Sequence, residues 1–83
     1  MKHSQTTKIN LYVINYVRDL RIKHGVTQVE LAFRLKVSEG FIGKIESPKY
    51  TTKYNLNHLN ELAKIFNCSP KDFLPESWIE ENN

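Results

Sequence analysis

The sequence holds a single cysteine, Cys68, in 83 residues, which excludes an internal disulfide. A lone thiol suits a reducing compartment, and a cytoplasmic location is the expectation. Glycine and proline are scarce, three of each, which argues against a loop-rich or all-β chain. No apolar run approaches the roughly 20 residues that a membrane span needs. The N-terminal stretch from Met1 to Asn10 has no apolar signal core. Catalytic signatures are missing as well. His3, His24 and His58 fall in separate segments without ligand spacing, and Cys68 has no second cysteine in CxxC spacing. There is no glycine-rich phosphate loop, HExxH or GxSxG. Neither an enzyme nor a metal, cofactor or small-molecule site is expected.

What remains is an ordinary globular composition, 40% hydrophobic and 25% charged, in a chain long enough for one domain with a modest core. The net charge of +3 is unevenly spread. Residues 1–53 carry ten Lys or Arg against Asp19, Glu30, Glu39 and Glu46, a balance of +6. Residues 54–83 carry Lys64 and Lys71 against Glu61, Asp72, Glu76, Glu80 and Glu81, a balance of −3. A basic half with an acidic tail suits a polyanion partner; a solvated, unevenly charged surface accounts for the imbalance equally well.

The patterning is helical throughout. Residues 1–8 are polar and expected to fray. Ile9, Tyr12, Val13, Tyr16, Val17 and Leu20 recur at three- and four-residue spacing, which predicts a first helix from about residue 9 to His24, closed by Gly25. Thr27-Gln28-Val29-Glu30 reads as a capping box ahead of a short second helix. Its apolar residues are Val29, Ala32, Phe33 and Leu35, with Leu31 beside them, and it ends near Lys36. Val37 enters a turn, Ser38 reads as an N-cap, and a third helix runs from Glu39 to Glu46 until Pro48 stops it. Residues 47–54 form a polar loop. Asn55 caps a fourth helix with the stripe Leu56, Leu59, Leu62, Ala63 and Phe66. Ser69-Pro70 opens a short fifth helix that ends before Pro75. The boundaries expected are a flexible N-terminus at 1–8, a domain at 9–75 and an acidic tail at 76–83.

Two short capped helices joined by a tight turn make a helix-turn-helix. In the third helix Ile42 and Ile45 should face the core with Leu31 and Val37. The opposite side then presents Glu39, Gly40, Gly43, Lys44 and Ser47, a face small enough to approach another surface closely. A major groove accepts one such helix. Gly40 and Gly43 fit close approach to a groove or tight packing against the second helix. Phe41 is read as a half-buried aromatic beside the second helix or as a contact to a thymine methyl. Tyr12, Tyr16 and Phe33 are read as core or its edge. Tyr50 and Tyr54 either touch phosphate or pin the loop.

From Ile14 to Leu74 the chain resembles the Cro/C1-type helix-turn-helix domain, the XRE family of bacterial, phage and mobile-element regulators. The resemblance rests on Leu20-Arg21, Gly25 through Ala32, Val37-Ser38, Ile42 through Glu46, and Leu59 through Phe66, in the family's order and spacing. It implies an all-α, compact five-helix bundle of the lambda-repressor-like DNA-binding type, with the helix-turn-helix at helices 2 and 3. It implies double-stranded DNA as partner, a palindromic operator and a homodimer. Residue by residue, it implies that Gln28 donates to a phosphate at the second helix's N-terminus, and that Ser38 is a cap with a phosphate role. Glu39, Gly40 and Lys44 take the base-facing positions. Ser47, Lys49, Tyr50, Thr51 and Lys53 follow the backbone, and Glu46 is a framework acid paired with Arg21.

Three positions depart from the family pattern. Glu39 stands where Gln, Arg or Lys is common. It either accepts from cytosine N4 or favours the positive end of its own helix. Gly43 replaces a common Ser and keeps only a backbone N–H for a phosphate. Pro48 replaces a common Gly and changes how the loop begins. The expected function is a small transcriptional regulator, a repressor. The rival is a protein-interaction module, such as an antitoxin-like partner, with Trp78 and Ile79 either forming a dimer face or covering the core.

Overall fold

The computed structural model describes residues 6–81. Among them are four α-helices and no strand: α1 Lys8–Lys23, α2 Gln28–Leu35, α3 Glu39–Glu46 and α4 Leu56–Phe66. The expected fifth helix is a correction. Pro70–Phe73 is a single 3-10 turn, capped at Ser69 by a reciprocal pair in which Asp72 accepts the Ser69 N–H. Leu74 already has extended backbone, and Pro75 lacks an N–H, so the turn does not propagate. Of the expected frayed segment, residues 1–5 lie outside the described residues, while Thr7 caps α1 and Lys8 begins it. Residues 82–83 of the acidic tail also lie outside the described residues.

Three helices end the same way. After α1, α2 and α4 the chain turns left-handed at Gly25 (φ +69°), Lys36 (φ 64°) and Asn67 (φ 56°). The next residue's N–H then bonds five residues back: Val26 to Arg21, Val37 to Ala32, and Cys68 to Ala63. This closure satisfies the orphan carbonyls of each last turn and directs Val26 and Val37 toward the core.

The core is one cluster: Val13, Ile14 and Val17 of α1, Val26, Leu31, Ala32 and Leu35, Ile42 and Ile45 of α3, Tyr54, four residues of α4, and Phe73. Cys68 packs at its edge, where burial and then Asp72 push the thiol pKa up. The α2 stripe differs from the expected one. Leu31, Ala32 and Leu35 are buried, whereas Val29 is exposed and Phe33 is 81% exposed. Leu31, Leu35 and Ala32 share one side of α2; Val29 and Phe33 sit on the other, four residues apart. Leu56, placed in the α4 stripe, is also exposed, because the inward row is Leu59, Leu62, Ala63 and Phe66. Tyr12 and Tyr16 are exposed, and Tyr16 packs edge-on against the buried Phe73 with ring centroids 5.7 Å apart.

The tail does not hang free. The Glu81 carboxylate accepts the Lys8 N–H at 2.8 Å and the Ile9 N–H at 2.9 Å, closing the N-terminus of α1 from 73 and 72 residues away. No acidic side chain stands in the first turn of α1 itself, so Glu81 supplies the negative charge that end favours. Between its two anchors, Phe73 and Glu81, the tail carries Trp78 outward, 81% exposed. Trp78 therefore does not cover the core. Ile79 is half-buried.

Candidate nucleic-acid interface

α2 packs more extensively against α3 than any other pair of elements does. Ile42 and Ile45 fix the rotation of α3 by burying one side. Glu39, Gly40 and Lys44 are then exposed and Gly43 half-exposed, so all four lie on or beside the outer face as expected. A Cβ added to Gly40 would meet nothing within 4 Å, and one added to Gly43 would meet only Gln28 Oε1, at 3.5 Å. Neither glycine is needed for packing against α2.

Ser38 has the extended backbone of an N-cap, but its side chain makes no capping bond. Its carbonyl accepts the Phe41 N–H instead, at 3.0 Å. Thr27 fulfils half of its expected box: its hydroxyl accepts the Glu30 N–H at 3.0 Å. The Glu30 carboxylate is turned to Arg34, at 2.7 Å, rather than back to Thr27. Glu39 occupies the first turn of α3, where its charge complements the helix dipole. Phe41 is half-buried against the core, its ring 5.2 Å from that of His58 on α4.

Arg21 organises the inner wall of the interface. Its Nε and Nη2 donate to the two carboxylate oxygens of Glu46 at 3.0 and 2.8 Å, and Nη1 donates to the Val26 carbonyl at 2.9 Å. Both side chains are largely buried. The same Glu46 Oε1 accepts from Gln28 Nε2 at 3.0 Å. Gln28, the expected phosphate donor, is thus exposed but joined to Glu46 across the α2–α3 seam.

The loop after α3 opens with a turn that explains Pro48. The Ser47 carbonyl accepts the Tyr50 N–H, and Ser47 Oγ accepts the Lys49 N–H at 3.2 Å. Proline's fixed φ suits the second position of such a turn. The turn brings Tyr50 back over α3, where Lys44 Nζ stands 5.7 Å from its ring centroid. Lys49, Tyr50, Thr51 and Lys53 are exposed and Ser47 is half-buried. Tyr54 belongs to the core, its hydroxyl buried without a hydrogen-bond partner among the described residues and its pKa raised by burial, then by Glu46. It pins the loop and offers nothing to phosphate.

Two contacts here had little sequence signal. The Gln28–Glu46 bond spans 18 residues and two helices. The α4 cap uses His58, whose Nδ1 accepts the Asn55 N–H at 3.0 Å, whereas the sequence pattern for a capping box asks for Glu or Gln.

The arrangement is that of a helix-turn-helix with its second helix displayed. Residues 17–73 match the helix-turn-helix family HTH_3 of Cro/C1 (XRE) type, and the chain belongs to that family. In three dimensions it is similar to a hypothetical transcription factor, NHTF, from Neisseria, with a TM-score of 0.67. The similarity covers 89% of this chain and 90% of that one at 15% identity, which speaks for the shared fold. No curated protein matches the chain. Among the described residues no helix is long and apolar enough to cross a membrane, and no group of three or more His, Cys, Asp or Glu could hold a metal ion.

Proposed function

We propose that the protein binds double-stranded DNA sequence-specifically as a small transcriptional repressor, with α3 in the major groove. The observation that carries this reading is the outer face of α3. It has open space at Gly40, no side chain at Gly43, and Lys44 at its edge beside a loop displaying Lys49 and Lys53. A face without bulk lets the backbone come close to base edges, and flanking lysines neutralise phosphates. Glu39, Gly40 and Lys44 take the base-facing role. Ser38, Gly43, Ser47, Lys49, Tyr50, Thr51 and Lys53 follow the backbone. The family reading extends to a cytoplasmic homodimer on a palindromic operator.

The test is a pair of variants measured on a selected site and on random duplex. Lys49→Ala should weaken binding to both alike, whereas Lys44→Ala should also shift the preferred sequence. Equal losses on every sequence for both variants remove Lys44 from the readout. A second reading, a protein-interaction module, draws on the exposed Trp78, Phe33 and Leu56. It gains if the protein binds no duplex at low salt.

A further inference from the structure

Gln28 is joined to Glu46 in a way that fixes which end of its amide faces outward. A carboxylate held by Arg21 accepts hydrogen bonds and does not donate them, so the amide must turn its NH2 group to Glu46. Oε1 is then directed the other way. It lies 3.5 Å from the point where a Cβ of residue 43 would stand, beside the outer face of α3. Residue 43 is glycine, so it places no side chain over this oxygen.

A carbonyl oxygen on that face repels phosphate oxygens and accepts from N–H groups. In the major groove the N–H donors on base edges are the exocyclic amino groups, N6 of adenine and N4 of cytosine. We propose that Gln28 is a specificity-determining residue whose Oε1, aimed by the Arg21–Glu46 pair, accepts a hydrogen bond from a base amino group beside Gly43. This replaces the phosphate-donor role that the family resemblance implies for Gln28, and it rests on the reading of α3 as a major-groove helix. Glu46 acts here as a positioning residue, because its contact is with Gln28.

The test starts from duplexes that the wild-type protein selects out of a random pool. The same pool is given to Gln28→Met, which keeps an unbranched side chain of similar length and removes both polar atoms. Gln28 is exposed, so the variant should fold, which circular dichroism and melting check. The expected result is loss of preference at one base-pair position, with the rest of the selected site kept. At that position adenine is then replaced by purine, or cytosine by 2-pyrimidinone, deleting only the amino group. Wild-type affinity should fall about tenfold on the deleted duplex, the scale of one base-specific contact. Gln28→Met should bind both duplexes equally.

The proposal is overturned if Gln28→Met keeps every base preference and loses affinity by the same factor on all sequences, as a phosphate donor would. It is also overturned if deleting the amino group leaves wild-type affinity unchanged. A wild-type protein that selects no site at all overturns the DNA-binding reading itself, and this inference with it.

Discussion

Arg21 and Glu46 bind each other through two hydrogen bonds while mostly shielded from water. Removing one partner leaves the other's charge buried without compensation. Glu46→Ala should therefore destabilise the fold by about 3 kcal/mol, read as a lower urea midpoint. Lys44→Ala removes an exposed side chain whose internal contact is the Tyr50 ring, and should change stability by less than about 1 kcal/mol. His58 makes a second residue-scale prediction. Its Nδ1 accepts the Asn55 N–H, which requires the neutral ring, and burial lowers its pKa from the ordinary 6.5. The unfolded chain then binds this proton more readily than the folded one. The stability contribution is fully present above the ordinary histidine range and is lost as pH falls through 6.5 toward the lower folded value. Melting temperature should drop between about pH 7.5 and 5.5 in wild type and less in His58→Gln, which can keep the reciprocal cap without titrating. Identical pH profiles would contradict this role for His58.

At the scale of elements, the closures of the helices carry the testable energetics. The Glu81 cap gives α1 two charge-assisted bonds at its N-terminus. Glu81→Ala should cost about 1 kcal/mol, a fall of roughly 4–8 °C in melting temperature, with faster amide exchange at Lys8 and Ile9. Exchange unchanged at those amides would show that the contact does not hold in solution. At the left-handed positions Gly25→Ala should destabilise by about 1 kcal/mol, and Lys36→Gly should stabilise by up to about the same amount, because only glycine adopts that geometry without a Cβ penalty. Helix periods, Gly25, the Thr27 cap and the inward pair Ile42 and Ile45 were all readable from local spacing. The Leu31 face of α2 was not, because Val29, Phe33 and Leu31 are all apolar in sequence and packing against α3 and α4 decides which turns in. The Glu81 cap was hidden for a related reason: a contact across 73 residues leaves no local pattern.

For the whole molecule, the sequence divides charge into a basic stretch, residues 1–53, and an acidic remainder; α3 and its loop belong to the basic stretch, and the fold leaves their Lys44, Lys49 and Lys53 exposed. The positions of Glu39, Gly40 and Lys44 on the outer side of α3 followed from the two inward isoleucines. The orientation of the Gln28 amide did not, since it depends on where Arg21 holds Glu46. On the proposed function, this face binds duplex DNA and reads its sequence. The most direct measurement is binding of the intact protein to a selected duplex and to random duplex across a salt series. The expected outcome is tighter binding to the selected site by at least about a thousandfold, with affinity for both falling steeply and linearly on a log–log salt plot as bound cations are released. Equal affinity for the two duplexes, or binding insensitive to salt, would contradict it.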